Sequence, residues 1–79
     1  MEVKTLVEDI AKALVNSPDQ VEVREISSEA GLTTLGLKVA PEDLGRVIGK
    51  QGRTARSIRS LLNAAGSKSD RRFFLEIQE

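Results

Sequence analysis

Gly45-Arg46-Val47-Ile48-Gly49-Lys50-Gln51-Gly52-Arg53-Thr54-Ala55 is the stretch on which the reading of this chain turns. Two glycines, Gly49 and Gly52, flank two polar residues, and glycine accepts the positive φ of a sharp turn between helices. An ordinary helix–helix turn manages with one glycine, and Gly-x-x-Gly by itself is a weak signal. Two nucleotide-binding readings fail on spacing. A P-loop needs four residues between its first glycine and Gly-Lys-Ser/Thr. Here three residues separate Gly45 from Gly49, and Gln51 stands where the magnesium-binding hydroxyl belongs. A dinucleotide fingerprint needs Gly-x-Gly-x-x-Gly after a strand, and this segment has no Gly-x-Gly and follows a helix. A clamp for a nucleic-acid backbone remains. Without β-carbons at the glycines, a sugar-phosphate chain can approach the main chain closely. Gly52 leads into a helix N-terminus, whose N–H groups favour anions, and Lys50 and Arg53 add positive charge there.

The flanking sequence sets this loop between two helices. Downstream, a helix is expected from about Arg53 to Ala65. At about 100° per residue, Ala55, Ile58, Leu61, Leu62 and Ala65 fall within one arc and Arg53, Arg56 and Arg59 on the far side. Gly66-Ser67 ends it. A last strand runs from Arg71 to Gln78, with Phe73, Leu75 and Ile77 inward and Phe74 and Glu76 outward. Upstream, Ala40-Pro41-Glu42-Asp43 opens a short helix, with proline in the first turn and two acids facing the positive end of the dipole. Before it lie a strand with Leu35, Leu37 and Val39 on one face, a turn at Ser28–Gly31, and a strand from Val21 to about Ile26. The chain begins with an amphipathic helix, Val3, Leu6, Val7, Ile10 and Leu14 forming its apolar stripe, stopped by Asn16-Ser17-Pro18-Asp19. The fold class is therefore α+β in the order α-β-β-α-α-β. A three-stranded sheet with three helices packed on one face is the simplest way to bury these stripes. Residues 1–79 form a single domain.

Charge is distributed unevenly. The 79 residues carry 12 basic and 12 acidic side chains, yet residues 1–43 hold four basic against nine acidic, and residues 44–79 eight against three. From Leu44 to Ser69 there is no acid, while Arg46, Lys50, Arg53, Arg56, Arg59 and Lys68 all fall there. Such asymmetry marks an anion-binding face, set against the plainer reading of a solvated helix surface. The chain has no His, Cys, Tyr or Trp, which removes the commonest general base and the soft metal ligands. Glu8-Asp9 and Glu42-Asp43 are sequence neighbours, which do not face one another on a helix. No enzymatic activity, catalytic residue, metal, cofactor or small-molecule substrate is expected. Apolar runs are far shorter than the roughly 20 residues that span a bilayer, and the N-terminus lacks the apolar core of a secretory signal. No membrane association and a cytoplasmic location are the defaults.

At this point the sequence resembles a known family. Val47-Ile48-Gly49-Lys50-Gln51-Gly52, followed by Ile58 six residues on, is similar to the signature of KH domains. The element order resembles the type II, prokaryotic variant. Across nearly the whole chain it looks like the KhpA family of small bacterial stand-alone KH proteins. One departure is Ala55, where many KH domains carry a larger aliphatic residue. The resemblance implies a cleft holding about four unpaired nucleotides of single-stranded RNA. Gly49, Lys50, Gln51 and Gly52 would grip the backbone, with Arg46, Arg53 and Arg56 within electrostatic reach of phosphates. Val47, Ile48 and Ile58 would supply an apolar floor, with Leu37 and Val39 contributing, although some of these also read as ordinary core. It further implies an RNA chaperone or post-transcriptional regulator that forms a homodimer or a heterodimer with a KhpB-like KH protein. The alternative it carries is a dimerisation module in cell-elongation, cell-shape and cell-wall control. Aromatic content is compatible. RRM and OB surfaces stack bases on aromatic side chains, and only Phe73 and Phe74 are present here.

Overall fold

The apolar stripe of the first helix and the alternation of the strands find each other across one layer interface. The computed structural model describes residues 2–67 and 70–78, so Lys68 of the basic segment lies outside the described residues. Helix α1 spans Val3–Leu14, strand β1 Glu22–Glu29 and strand β2 Leu32–Lys38. Helix α2 spans Leu44–Ile48, helix α3 Arg53–Ser67 and strand β3 Arg72–Gln78. Single 3₁₀ turns lie at Pro18–Gln20, Pro41–Asp43 and Lys50–Gly52. Strand β2 is central, antiparallel to β1 and parallel to β3. The parallel pair follows from the crossover through α2 and α3, which returns the chain to the same end of the sheet.

The helices cover one face. Val7 and Ala11 of α1, Val47 of α2, and Ile58 and Leu62 of α3 pack with Val23, Leu35, Leu37 and Leu75 of the sheet, all buried. On β3, Leu75 is fully buried and Phe73 and Ile77 partly so, while Phe74 and Glu76 face away, as the alternation requires. The register of β1 against β2 slips between Glu25 and Ser27, making Ile26 the extra residue of a bulge. Its side chain then covers Gly36, where a β-carbon would come within 2.7 Å of Ile26 Cδ1.

Four local expectations are corrected. The turn after β1 is confined to Ala30 and Gly31, so Ser28 and Glu29 extend the strand. The short helix begins at Leu44, because residues 41–43 form a 3₁₀ turn. Helix α3 continues through Ser67, and Gly66 serves packing instead of capping: a β-carbon there would collide with the Arg71 carbonyl. Leu61, placed in the buried arc by the wheel, is 53% exposed. Ile58 and Leu62 already fill the contact with the sheet, and Leu61 lies at the edge of that arc.

Candidate nucleic-acid interface

The loop between α2 and α3 is built from positive φ. Gly49 has φ 76°, Gln51 57° and Gly52 73°. A β-carbon at Gly49 would strike the Thr54 side chain and lie 2.8 Å from the Thr54 nitrogen, so conformation and space both demand glycine. At Gly52 an added β-carbon would meet nothing within 4 Å. Its requirement is conformational, and the space above it is open. Gln51 holds the left-handed region with a side chain, at a cost of about 1 kcal/mol.

Backbone hydrogen bonds hold the turn from inside. Gly49 N–H donates to Gly45 O at 2.9 Å and Gly52 N–H to Gly49 O at 3.1 Å. Arg53 N–H donates to Lys50 O, so the first N–H of α3 is already engaged. The helix end contributes its dipole, and Lys50 and Arg53, both exposed, contribute full charges. Arg56, also exposed, reaches back with Nη2 to the Gln51 carbonyl at 3.5 Å, at the long limit of a hydrogen bond.

Arg46 sits on the exposed side of α2, its Nε 3.9 Å from Oδ1 of Asp43. Asp43 is wholly buried and accepts the backbone N–H groups of Asn16 and Ser17 at 3.2 and 3.0 Å. Its carboxylate thus joins the chain after α1 to the start of α2 and fixes the position from which α2 presents the loop. Its place in the sequence signals only an interaction with the helix dipole, because Asn16 and Ser17 become its partners through the fold.

Most of the expected apolar floor lies inside the core. Val47 and Leu37 are fully buried, Ile58 and Val39 nearly so, and of that set Ile48 alone remains half-buried. Val47, on the inner side of the five-residue α2, belongs to the core cluster with Ile58 and Leu62 of α3, so this residue supports the loop from behind. Ala55 is buried as well, at 3% exposure, and so belongs to the inner side of α3.

Arg59, expected on the far side of α3 with Arg53 and Arg56, stands apart from them. It is half-buried, its Nε donates to the Leu75 carbonyl of β3 at 3.2 Å, and its Cζ lies 5.8 Å from the centre of the Phe74 ring. No periodicity signals this, because a position on the border of a buried arc takes its partner from whichever strand lies alongside. The three arginines spaced three residues apart therefore do different things: Arg53 stands at the loop, Arg56 touches it, and Arg59 spans from α3 to the sheet edge.

An α-β-β-α-α-β chain with a central strand parallel to the last and a glycine loop between its second and third helices defines a type II KH domain. The family model described as KhpA/KhpB, KH domain, matches residues 4–77, and the chain belongs to that family. A protein of Clostridium acetobutylicum called RNA-binding protein KhpA is 53% identical over 74 residues, covering 94% of this chain and 97% of its own. A protein of the same description from Caldanaerobacter subterraneus subsp. tengcongensis is 56% identical over 72 residues, covering 91% and 95%. One from Aquifex aeolicus is 49% identical over 76 residues, covering 96% and 95%. Among the described residues no helix is long and apolar enough to cross a membrane.

Proposed function

We propose that this domain binds single-stranded RNA by clamping its backbone at Gly49-Lys50-Gln51-Gly52. The observation that carries this is the loop itself. It offers open space above Gly52, a helix dipole directed at that space, and exposed Lys50, Arg53 and Arg56 in or beside it, with exposed Arg46 on the preceding helix. The names borne by the relatives support the reading. Backbone recognition of this kind depends on splayed nucleotides, since an A-form duplex keeps its bases stacked. With few phosphate contacts, one domain binds weakly, and pairing with a second KH domain raises the effective concentration of the clamp. The role that this reading extends to is an RNA chaperone or regulator working with a KhpB-like partner, in keeping with the KhpA/KhpB family.

A second reading, in which the domain serves mainly as a pairing module in cell-elongation control, is favoured by its exposed apolar side chains. Ile26, Leu32 and Phe74 on the open face of the sheet and Leu61 on α3 are 39–53% exposed. Fluorescence anisotropy with a short single-stranded RNA and its duplex, at low salt, separates the two. The clamp requires the single strand to bind and the duplex to bind at least about tenfold more weakly. Strong self-association without RNA binding selects the second reading.

A further inference from the structure

Strand β3 is an edge strand. Arg72 N–H donates to Gly31 O, on the side of β2, so the next residues alternate between the ladder and the open edge. Phe73, Leu75 and Ile77 then turn their backbone groups outward. The Leu75 carbonyl confirms this parity, because it accepts from Arg59, which approaches from α3. The guanidinium is thereby fixed at two points, by the Leu75 carbonyl and by the Phe74 ring within cation–π range. Among the described residues no carboxylate pairs with it. Its Nε is used, and its two Nη groups stay available as a planar fork.

We propose that Arg59 selects the base beside the clamp, accepting one with two adjacent hydrogen-bond acceptors and rejecting the others. Guanine offers O6 and N7 and cytosine offers O2 and N3, each pair spaced to receive two parallel N–H donors. Adenine sets its amino donor beside N1 and N7, and uracil puts N3–H between its two carbonyls, so each confronts one donor with another. A mobile arginine would serve a phosphate equally well. One pinned across a sheet edge has lost the freedom to follow the backbone and can discriminate by geometry. Position agrees with this role. Arg56 touches the loop, and Arg59 lies three residues further on, about 4.5 Å along the helix. A strand gripped at the loop and running along α3 brings its neighbouring nucleotide there.

This assignment rests on the clamp reading, and the test separates the two. The probe is a short oligouridine RNA carrying a single guanine, cytosine or adenine at each position in turn, with binding read by anisotropy at low salt. One position is expected at which guanine or cytosine binds at least about fivefold tighter than uracil and adenine, and the comparison of those two strands identifies which acceptor pair is read. Arg59→Lys keeps the charge and loses the fork. It is expected to reduce that preference below about twofold while leaving oligouridine affinity within about threefold. Equal binding of all four bases, or a preference that survives Arg59→Lys, overturns the assignment and leaves the clamp standing. Binding to none of the strands overturns both. Should Arg59→Lys fail to fold, Phe74→Leu takes its place, since it removes an exposed ring beneath the guanidinium, and an unchanged preference then overturns the assignment.

Discussion

The carboxylate of Asp43 accepts the backbone N–H of Ser17 at 3.0 Å, across 26 residues of sequence. The same group receives Asn16 N–H, and nothing of Asp43 is exposed. A buried acid here holds the start of α2 to the chain leaving α1, and α2 in turn carries the glycine loop.

Asp43→Ala strands two backbone donors and leaves a void behind α2. The expected loss is about 2–3 kcal/mol of unfolding free energy, measured by urea denaturation. Asp43→Asn keeps the shape but gives up one acceptor and the attraction to Arg46, for about 1–2 kcal/mol. A loss below about 0.5 kcal/mol for Asp43→Ala would mean that the tie does not hold α2 in place.

Gly66→Ala tests packing at the far end of α3. A methyl group there meets the Arg71 carbonyl and lies 2.9 Å from the Phe73 ring, so the Arg71 backbone must shift to admit it. Alanine is otherwise the better helix former by about 1 kcal/mol. Overpacking is expected to outweigh that gain and destabilise by about 1–3 kcal/mol. A stabilised variant in thermal melts would show that the α3–β3 connection yields freely.

Leu61 and Leu62 are neighbours with opposite fates. Leu62 is fully buried and Leu61 is 53% exposed. Leu62→Ala is expected to cost about 3 kcal/mol, whereas Leu61→Ala stays within about 0.5 kcal/mol. Paired denaturation curves check both, and equal costs would contradict the placement of α3.

The contrast between these two leucines marks what the sequence could convey. Periodicity places α1, the strands and the inward residues of β3, because burial on one face imposes a period that propensity alone does not. The loop was legible for a different reason. Positive φ and close backbone approach leave few residue types besides glycine, and Gly49 and Gly52 declare themselves. What stayed hidden depends on distance in sequence. Asp43 finds Asn16 and Ser17 only after the chain has folded, and Arg59 finds Leu75 sixteen residues away. Val47 and Ile58 offer themselves equally to a groove or to the core by spacing, and the fold places both in the core cluster, Val47 from α2 and Ile58 from α3. Residues at the border of a buried arc, such as Leu61 and Arg59, are decided by which neighbour arrives.

Binding by a few charges fixes the response to salt. Each phosphate neutralised on a single strand contributes about −0.7 to the slope of log K against log salt. With Arg46, Lys50, Arg53 and Arg56 exposed around the loop, a slope between about −2 and −3 is expected. Arg53→Ala should reduce its magnitude by about 0.7 and weaken all sequences alike. A slope near zero in a salt titration would remove the phosphate contacts from the mechanism.

The most direct measurement is RNA affinity of the double variant Lys50→Asp and Gln51→Asp, taken alongside its melting temperature and oligomer size. Both positions are exposed, and aspartate tolerates the left-handed conformation at Gln51 better than most residues. Two carboxylates at the mouth of the clamp repel phosphate without disturbing the core. Binding to single-stranded RNA is expected to be lost while the melting temperature and oligomer size match those of the wild type. Wild-type affinity in a folded double variant would contradict the clamp.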